Sequence, residues 1–305
     1  MTKKKVVFIL LPQVELLDLA GPAQVFIEAR HQGLAADVIF CGFHQPVSSA
    51  AGLILAPALH YSDLILDTDD IIFLPGIHAE TLSREPAAEK AFLEWLRSQV
   101  QKGVLICSVC NAAFVLAEAG LLDQRECTTH WRSVKMLQQL YPATKVLTDV
   151  LFVKSERIYT SAGVSSGIDL ALFVLEEWKG ALFAHHVARG LVVYHRRNAD
   201  HSQQSIYLAY RNHIRAEIHR VQDYMIEHLH TDCDLDTLAD IAVMSPRNLA
   251  RVFKTQTGIT VHQYLTALRI EKAHTLRKNP AHTMAYIASQ CGFRSARQLQ
   301  RILLP

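Results

Sequence analysis

Three residues carry the types needed for nucleophilic chemistry: Cys110, His130 and Asp18. The stretch LICSVCNAAFVLAEAGLLDQRECTTHW, residues 105–131, places Cys110 between an apolar run and a small-residue segment, with His130 twenty residues on. A helix starting near Asn111 would set the cysteine on a strand-to-helix elbow. The partial positive charge and free N–H groups of a helix start stabilise a thiolate and lower its pKa. His130 could act as base or partner and Asp18 could orient it, which would complete a nucleophile, a base and a carboxylate. The competing assignment is a free cysteine acting as a small buried hydrophobe. The residues alone leave both open. Cys107 and Cys110 also form C-x-x-C, but a zinc site needs a second pair at suitable spacing and the chain has none. A thioredoxin-like motif would start a helix with its first cysteine, whereas Cys107 falls inside the apolar run. His185-His186 and the other histidines show no metal spacing, so no metal is expected. No Walker or dinucleotide motif occurs, so no cofactor is expected.

The elements that must position these residues are short. VVFILL (6–11), ADVIFCG (36–42), DIIFLPG (70–76) and GVLICSV (103–109) are apolar runs rich in branched residues, suited to strands buried on both faces. Helical stretches alternate with them. In 86–101, Phe92, Leu93, Leu96 and Val100 line one side, Pro86 sits near the start and Gly103 just past the end. Residues 111–119 read as a helix stopped by Gly120. Residues 165–180, SSGIDLALFVLEEWKG, open on a serine cap and close on glycine. This alternation predicts an α/β domain over 4–190: a flavodoxin-like, mostly parallel sheet sandwiched by helices, with ligands outside the carboxyl ends of its strands. The polar, aperiodic HRRNADHSQQS (195–205) marks a linker, placed at 191–214. Beyond it only helices are expected, near 211–230, 235–243, 246–256, 261–278, 283–290 and 295–303, in an all-α domain over 215–305.

Within that tail, LADIAVMSPRNLARVF (238–253) is weakly repeated as IASQCGFRSARQLQRIL (287–303). Each copy opens on an aliphatic–Ala pair, turns at Met244-Ser245 or Gly292-Phe293, and continues into a basic helix. Leu249 and Phe253 repeat as Leu299 and Leu303, and Arg251 repeats as Arg301. These are the spacings of two helix-turn-helix units. Small Ala239 and Ala288 let the paired helices approach, and the apolar pair holds the second helix on its core. The helix between the units, Val261 to Lys278, would be roughly 27 Å long at about 1.5 Å per residue. Such a rod can hold two recognition helices about one DNA turn apart, near 34 Å. Charge agrees. Residues 1–190 hold 16 Lys+Arg against 20 Asp+Glu, and residues 241–305 hold 10 against the single Glu271. A basic tail on an acidic body suggests a nucleic-acid partner, the alternative being a solvated helical surface; together with the two units and the rod it points to double-stranded DNA.

Over about 220–303, the stretches LADIAVMSPRNLARVFKTQTGITVHQYLTALRIEKA and IASQCGFRSARQLQR resemble the AraC/XylS family of transcription regulators. The resemblance implies that Arg247, Asn248, Ala250, Arg251 and Lys254 face one major groove, and Ala296, Arg297, Gln300 and Arg301 the next. Arg can bond guanine bidentately, Gln can bond adenine, and Lys254 suits phosphate. The family usually continues with a further aromatic residue, a Gly-x-x-Pro turn and a final short helix. Here RILLP305 follows, which predicts a less completely packed second unit. Residues 4–180 resemble the PfpI-type, class I glutamine-amidotransferase-like domain. The matched stretches are LLDLAGP (16–22), CSVCNAAFVLAEAGLL (107–122), TTHW (128–131) and AGVSSGIDLAL (162–172). In that resemblance Cys110 falls on the nucleophile position, His130 on the histidine and Asp18 on the acidic neighbour. The two parts together resemble the GlxA subfamily of regulators, whose N-terminal domain is thought to sense a small molecule. Asn111-Ala112 stands where the family commonly has Thr-Gly. That change disfavours an orthodox oxyanion hole and favours sensing over catalysis.

The resulting expectation is a ligand-responsive transcription regulator and not an enzyme. Activation is the commoner outcome in the AraC class. Asp18, Cys110, Asn111 and His130 would form the effector pocket, and Asp18 suggests an amine or amino-acid derivative. The expected partners are DNA, the effector, RNA polymerase and a second copy of the chain. The rival is a cysteine-dependent hydrolase, amidase or glyoxalase-like enzyme using Cys110 and His130. Composition is 50% apolar and 20% charged, as in globular proteins. No run of about 18 apolar residues predicts a membrane span. The apolar run Val6–Leu11 is shorter than a signal-peptide core, and the expected location is the cytoplasm. Six scattered cysteines are no disulfide framework.

Overall fold

The computed structural model describes residues 3–43, 46–57, 59–78, 90–193, 197–199, 203, 206–207, 209–231, 233–277, 279 and 281–303. The contacts divide the chain into two units, Met1–Gln203 and Gln204–Pro305. The start predicted for the helix at 86–101, with Pro86, and most of the predicted linker 195–205 lie outside the described residues, as do Lys278, Leu304 and Pro305.

In the first unit the strands are β1 (Lys4–Ile9), β2 (Ala36–Gly42), β3 (Val47–Ser48), β4 (Ile54–Leu55), β5 (Leu59–His60), β6 (Ile71–Leu74), β7 (Leu105–Val109), β8 (Glu126–Cys127), β9 (Lys145–Val146), β10 (Phe152–Ser155) and β11 (Ile158–Ser161). The helices are α1 (Leu16–His31), α2 (Lys90–Gln101), α3 (Ala113–Glu118), α4 (Val134–Leu140), α5 (Ser166–Lys179) and α6 (Ala181–Gly190). Seven strands form one sheet in the order β10-β11-β7-β6-β1-β2-β5, while β3–β4 and β8–β9 are separate ribbons. All neighbours in the large sheet run parallel except β10 against β11. Alternate residues of β1 supply two cores. Val6 and Phe8 pack with Phe26 of α1 and Leu170 of α5, and Val7 and Ile9 pack with Phe92 of α2 and Phe114 of α3. Burial on both faces is why β1 reads as an unbroken apolar run. Strand order reverses at β1, between β2 and β6. Ligands of such sheets sit at this switch point, outside the carboxyl ends of the strands.

The sheet agrees with the expected flavodoxin-like arrangement but has more strands than the apolar runs indicated. FVKS and IYTS form the β10–β11 hairpin around Glu156-Arg157, with Glu156 at φ 53°. Each run is only four residues long, too short for a period-2 signal to stand out. The predicted helix at 111–119 is shorter: a 3₁₀ turn spans Cys110–Ala112 and α3 follows. Ser165 precedes α5 but makes no side-chain cap bond; its hydroxyl instead accepts a bond from Arg197 Nη2 at 2.8 Å. Part of the predicted linker is docked on the first unit. Arg197 is bonded to the buried Asp169 through its backbone N–H and its guanidinium.

The second unit contains α7 (Ala216–Glu227), α8 (Leu235–Ala242), α9 (Pro246–Thr257), α10 (Val261–Arg277), α11 (Met284–Gln290) and α12 (Ala296–Leu303). Local chemistry sets the starts of these helices. Asp234 accepts from Thr237 N–H at 2.7 Å to cap α8, and Ser245 caps α9 ahead of Pro246. Thr260 and Gln263 cap α10 reciprocally, at 3.2 and 2.9 Å. One core joins Ile218, Leu238, Ala239, Leu249, Phe253, Tyr264 and Leu268. A second, smaller one joins Ala273, Ile287, Ala288, Cys291, Phe293 and Leu299, with Leu303 half-buried against it. Among the described residues, no helix is long and apolar enough to cross a membrane.

Candidate functional site

At the switch point, the turns after β1 and β6 meet the elbow after β7. Glu15 N–H donates to the Gly76 carbonyl at 2.8 Å, and His78 N–H donates to the Gln13 carbonyl at 3.0 Å. This stitching sets α1 so that Asp18, in its first turn, lies beside Gly76. The elbow is sharp: Cys110 adopts φ 57°, a left-handed conformation that costs a non-glycine residue about 1–2 kcal/mol. Glycines allow the close approach around it. A Cβ on Gly76 would fall 2.1 Å from Asp18 Oδ2 and 2.7 Å from Cys110 Cβ. One on Gly163 would fall 2.2 Å from Cys110 Cβ. Val164 follows at φ 51°, and its N–H donates to Asp18 Oδ1 at 2.6 Å. A β-branched residue is strained there. That strain sits beside the site.

The electrostatics oppose a thiolate. Asp18 is 1% exposed and Cys110 5%. Burial pushes the Asp18 carboxyl up to about 6, against the lowering effects of the Val164 N–H, the Cys110 thiol and the Gly76 N–H. Burial also pushes the Cys110 thiol far above its ordinary range, and the neighbouring Asp18 charge adds to the shift. The expected lowering by a helix start does not prevail. The elbow is followed by a 3₁₀ turn and a six-residue helix, and their dipole is outweighed by desolvation and an adjacent carboxylate. His130 is half-buried, and burial together with Arg132 lowers its pKa. Its Nδ1 accepts the Arg132 N–H at 3.4 Å. Among the described residues, no hydrogen bond joins His130 to Cys110 or Asp18. The link between the two segments is Thr129, whose hydroxyl donates to the Cys110 carbonyl at 3.0 Å.

Asn111 is also buried, and its amide donates to the Ile77 carbonyl at 3.3 Å. Asp18 Oδ2 and Asn111 Oδ1 are buried acceptors with no hydrogen-bond partner among the described residues, and both border the Gly76-Ile77 turn. Such acceptors favour a ligand that brings N–H donors. Sequence reasoning missed Gly76, Gly163, Val164 and Thr129. Two of them were legible as glycines placed just after strand-like runs, LPG and SAG. Gln203 was missed as well. Its amide bonds Thr128 Oγ1, Thr129 O and Val150 O at 3.0–3.2 Å, next to the segment that leads into His130.

In the second unit, the two turns place a left-handed residue at corresponding points, Val243 at φ 54° and Gly292 at φ 70°. Leu249 and Leu299 are wholly buried, which turns the other faces of α9 and α12 outward. On α9, Arg247, Ala250, Arg251 and Lys254 are exposed and Asn248 is half-exposed, with Asn248 Oδ1 accepting from Arg251 Nη2 at 2.9 Å. On α12, Arg297, Gln300 and Arg301 are exposed and Ala296 is half-exposed. An open cavity of about 480 Å³ is lined by Ser295, Arg297, Gln298, Gln300 and Arg301.

Comparison with known proteins agrees with the two-part build. The profile of the DJ-1/PfpI family matches residues 4–177, and that of a helix-turn-helix domain matches residues 238–303. The chain is similar to the HTH-type transcriptional regulator CdhR of Pseudomonas aeruginosa, 29% identical over 218 residues covering 70% of this chain and 64% of the relative. It is also similar to the HTH-type transcriptional regulator GlxA of Rhizobium meliloti, 28% identical and covering 66% of this chain and 61% of the relative. The matched part thus spans less than two thirds of either regulator. An isonitrile hydratase of Pseudomonas putida is 32% identical, over 57% of this chain and 71% of that enzyme.

Proposed function

The chain belongs to the DJ-1/PfpI family, and we propose that it is a ligand-responsive, sequence-specific DNA-binding transcription regulator. The observation that carries this is the pair of helix-turn-helix units. Each buries the apolar side of its second helix and turns a basic, polar face outward. Arg247, Asn248, Ala250, Arg251 and Lys254 enter one major groove, and Ala296, Arg297, Gln300 and Arg301 the next. The α/β domain senses a small metabolite at Asp18, Cys110, Asn111 and His130. The two bare buried acceptors support an effector with N–H donors, such as an amine or amino-acid derivative. The regulator works in the cytoplasm as a homodimer and activates through RNA polymerase. Effector binding shifts the dimer between arrangements that differ in how the tails meet DNA.

The test is selection of binding sites from random or genomic fragments by the purified full-length chain, followed by salt titration of the selected site. A selected site, a steep negative salt slope, and a loss of about tenfold or more with Arg251→Ala are expected. Weak, sequence-blind binding overturns the proposal.

The elbow geometry at Cys110 and the likeness to a hydratase favour a second reading, a cysteine enzyme tethered to DNA. Against it stand the burial that raises the pKa of the thiol, the neighbouring carboxylate and a histidine without a bond to the thiol among the described residues. Cys110→Ser decides between them. An enzyme shows turnover that the variant loses, whereas a sensor shows none to lose and keeps its effector-dependent DNA binding where serine preserves the pocket's shape.

A further inference from the structure

The two helix-turn-helix units share only α10 as a covalent support. Leu268 packs in the first core and Ile270 against the second, so the border between the cores falls at Arg269. The Arg269 guanidinium reaches back to the turn that follows α7, in the first unit's support. Nε donates to the Leu229 carbonyl at 3.0 Å and Nη2 to the Thr231 carbonyl at 2.8 Å. The turn of the second unit rests on the same spot. A Cβ on Gly292 would fall 2.4 Å from the Leu229 carbonyl oxygen and 2.8 Å from Arg269 Nη2. The left-handed conformation does not by itself require glycine there. Val243 adopts it at the matching point of the first unit, 84% exposed. Glycine is required at 292 because the Cα lies directly on the guanidinium and the carbonyl.

Resting on the DNA-binding role set out above, we propose that Arg269 and Gly292 form a buttress that fixes the angular phase between α9 and α12, making Arg269 the positioning residue for two-groove recognition. Covalently, α10 joins the units through one helical segment, about which the second core can rock. The guanidinium fork adds two bonds off the helix axis and a flat surface on which the second turn is seated. A shift of one base pair moves a half-site by about 3.4 Å and a tenth of a turn. A rigid pair of readers penalises that shift and a loose pair tolerates it.

The experiment measures affinity of the full chain for its selected site and for versions with one or two base pairs inserted or removed between half-sites. Wild type is expected to show a sharp optimum, with about tenfold loss per base-pair shift, the cost of a misplaced reader. Arg269→Met and, independently, Gly292→Ala flatten the profile to about threefold or less. Binding to the isolated α9 half-site stays within about twofold of wild type. Arg269→Lys cannot fork to both carbonyls and falls between. An unchanged profile in both variants overturns the buttress. So does equal loss at the isolated half-site, since Arg269 would then serve folding and not phase. Amide hydrogen exchange gives an arm that needs no DNA. Exchange across α11 and α12 rises in the variants while that of α8 and α9 does not; unchanged exchange overturns the proposal. If wild type selects no site, the DNA-binding proposal fails, and the exchange arm still decides whether the buttress exists.

Discussion

Replacing Asp18 by asparagine removes a buried charge without removing the shape, and the outcome can be worked from the structure. The carboxyl is 1% exposed, with its pKa raised from 3.8 to about 6 in the folded chain. A folded-state pKa above the unfolded one means that the native state holds the proton more tightly. Stability is therefore lost as pH rises from about 4 to about 6, and the loss is complete above that. A shift of about two units at 1.36 kcal/mol each amounts to roughly 3 kcal/mol. Asparagine is neutral throughout and escapes that loss. Its Oδ1 can keep the bond from the Val164 N–H, and its NH₂ replaces an oxygen that has no hydrogen-bond partner among the described residues. The difference between variant and wild type should thus grow by roughly 3 kcal/mol from pH 4 to pH 7.5 and then level off. Thermal or urea unfolding followed by tryptophan fluorescence reads this cleanly, because Trp95, Trp131 and Trp178 all lie in the first unit. For a unit of this size the change corresponds to roughly 6–12 °C in Tm. A difference that stays flat from pH 4 to pH 8 would show that Asp18 is solvated or permanently paired, and would refute the electrostatic account of the site.

Cys110 should resist iodoacetamide at pH 8 in the folded protein, with a rate at least about a hundredfold below that of a free thiol, and should react fully in urea; rapid native-state labelling, located by peptide mass mapping, would contradict the raised pKa. Gly163→Ala should lower the stability of the first unit by about 3 kcal/mol or more, because the new Cβ meets Cys110 at 2.2 Å in a backbone at φ 91°. A melt within about 1 °C of wild type counts against the packing described. Arg197→Met strips the buried Asp169 carboxylate of its two guanidinium bonds, leaves the one from the backbone N–H, and should cost the first unit about 3 kcal/mol. An unchanged urea midpoint would show that the docked linker contributes nothing to stability.

What the sequence determined by itself is whatever depends on neighbours along the chain. β1, β2, β6 and β7 were legible as apolar runs because strands buried on both faces need no polar alternation. α8 through α12 were legible to within a few residues because caps such as Asp234, Ser245 and Thr260 act within one turn, and the repeat of Leu249 as Leu299 fixes which face is buried. Cys110 and Asp18 were marked by residue type and by family resemblance, 92 positions apart. Only the tertiary structure set the carboxyl against the thiol, and only burial decided the sign of both pKa shifts. The helix-start argument is local and gave the opposite sign for Cys110, since desolvation depends on Gly76 and Gly163 closing over the elbow from two other loops. Arg197, Gln203 and Arg269 look like solvated polar residues in the sequence. Each finds its partner 28 to 75 positions away, across turns that no periodicity encodes. Local patterns therefore specified the elements, and packing between distant elements specified what the side chains at the site can do.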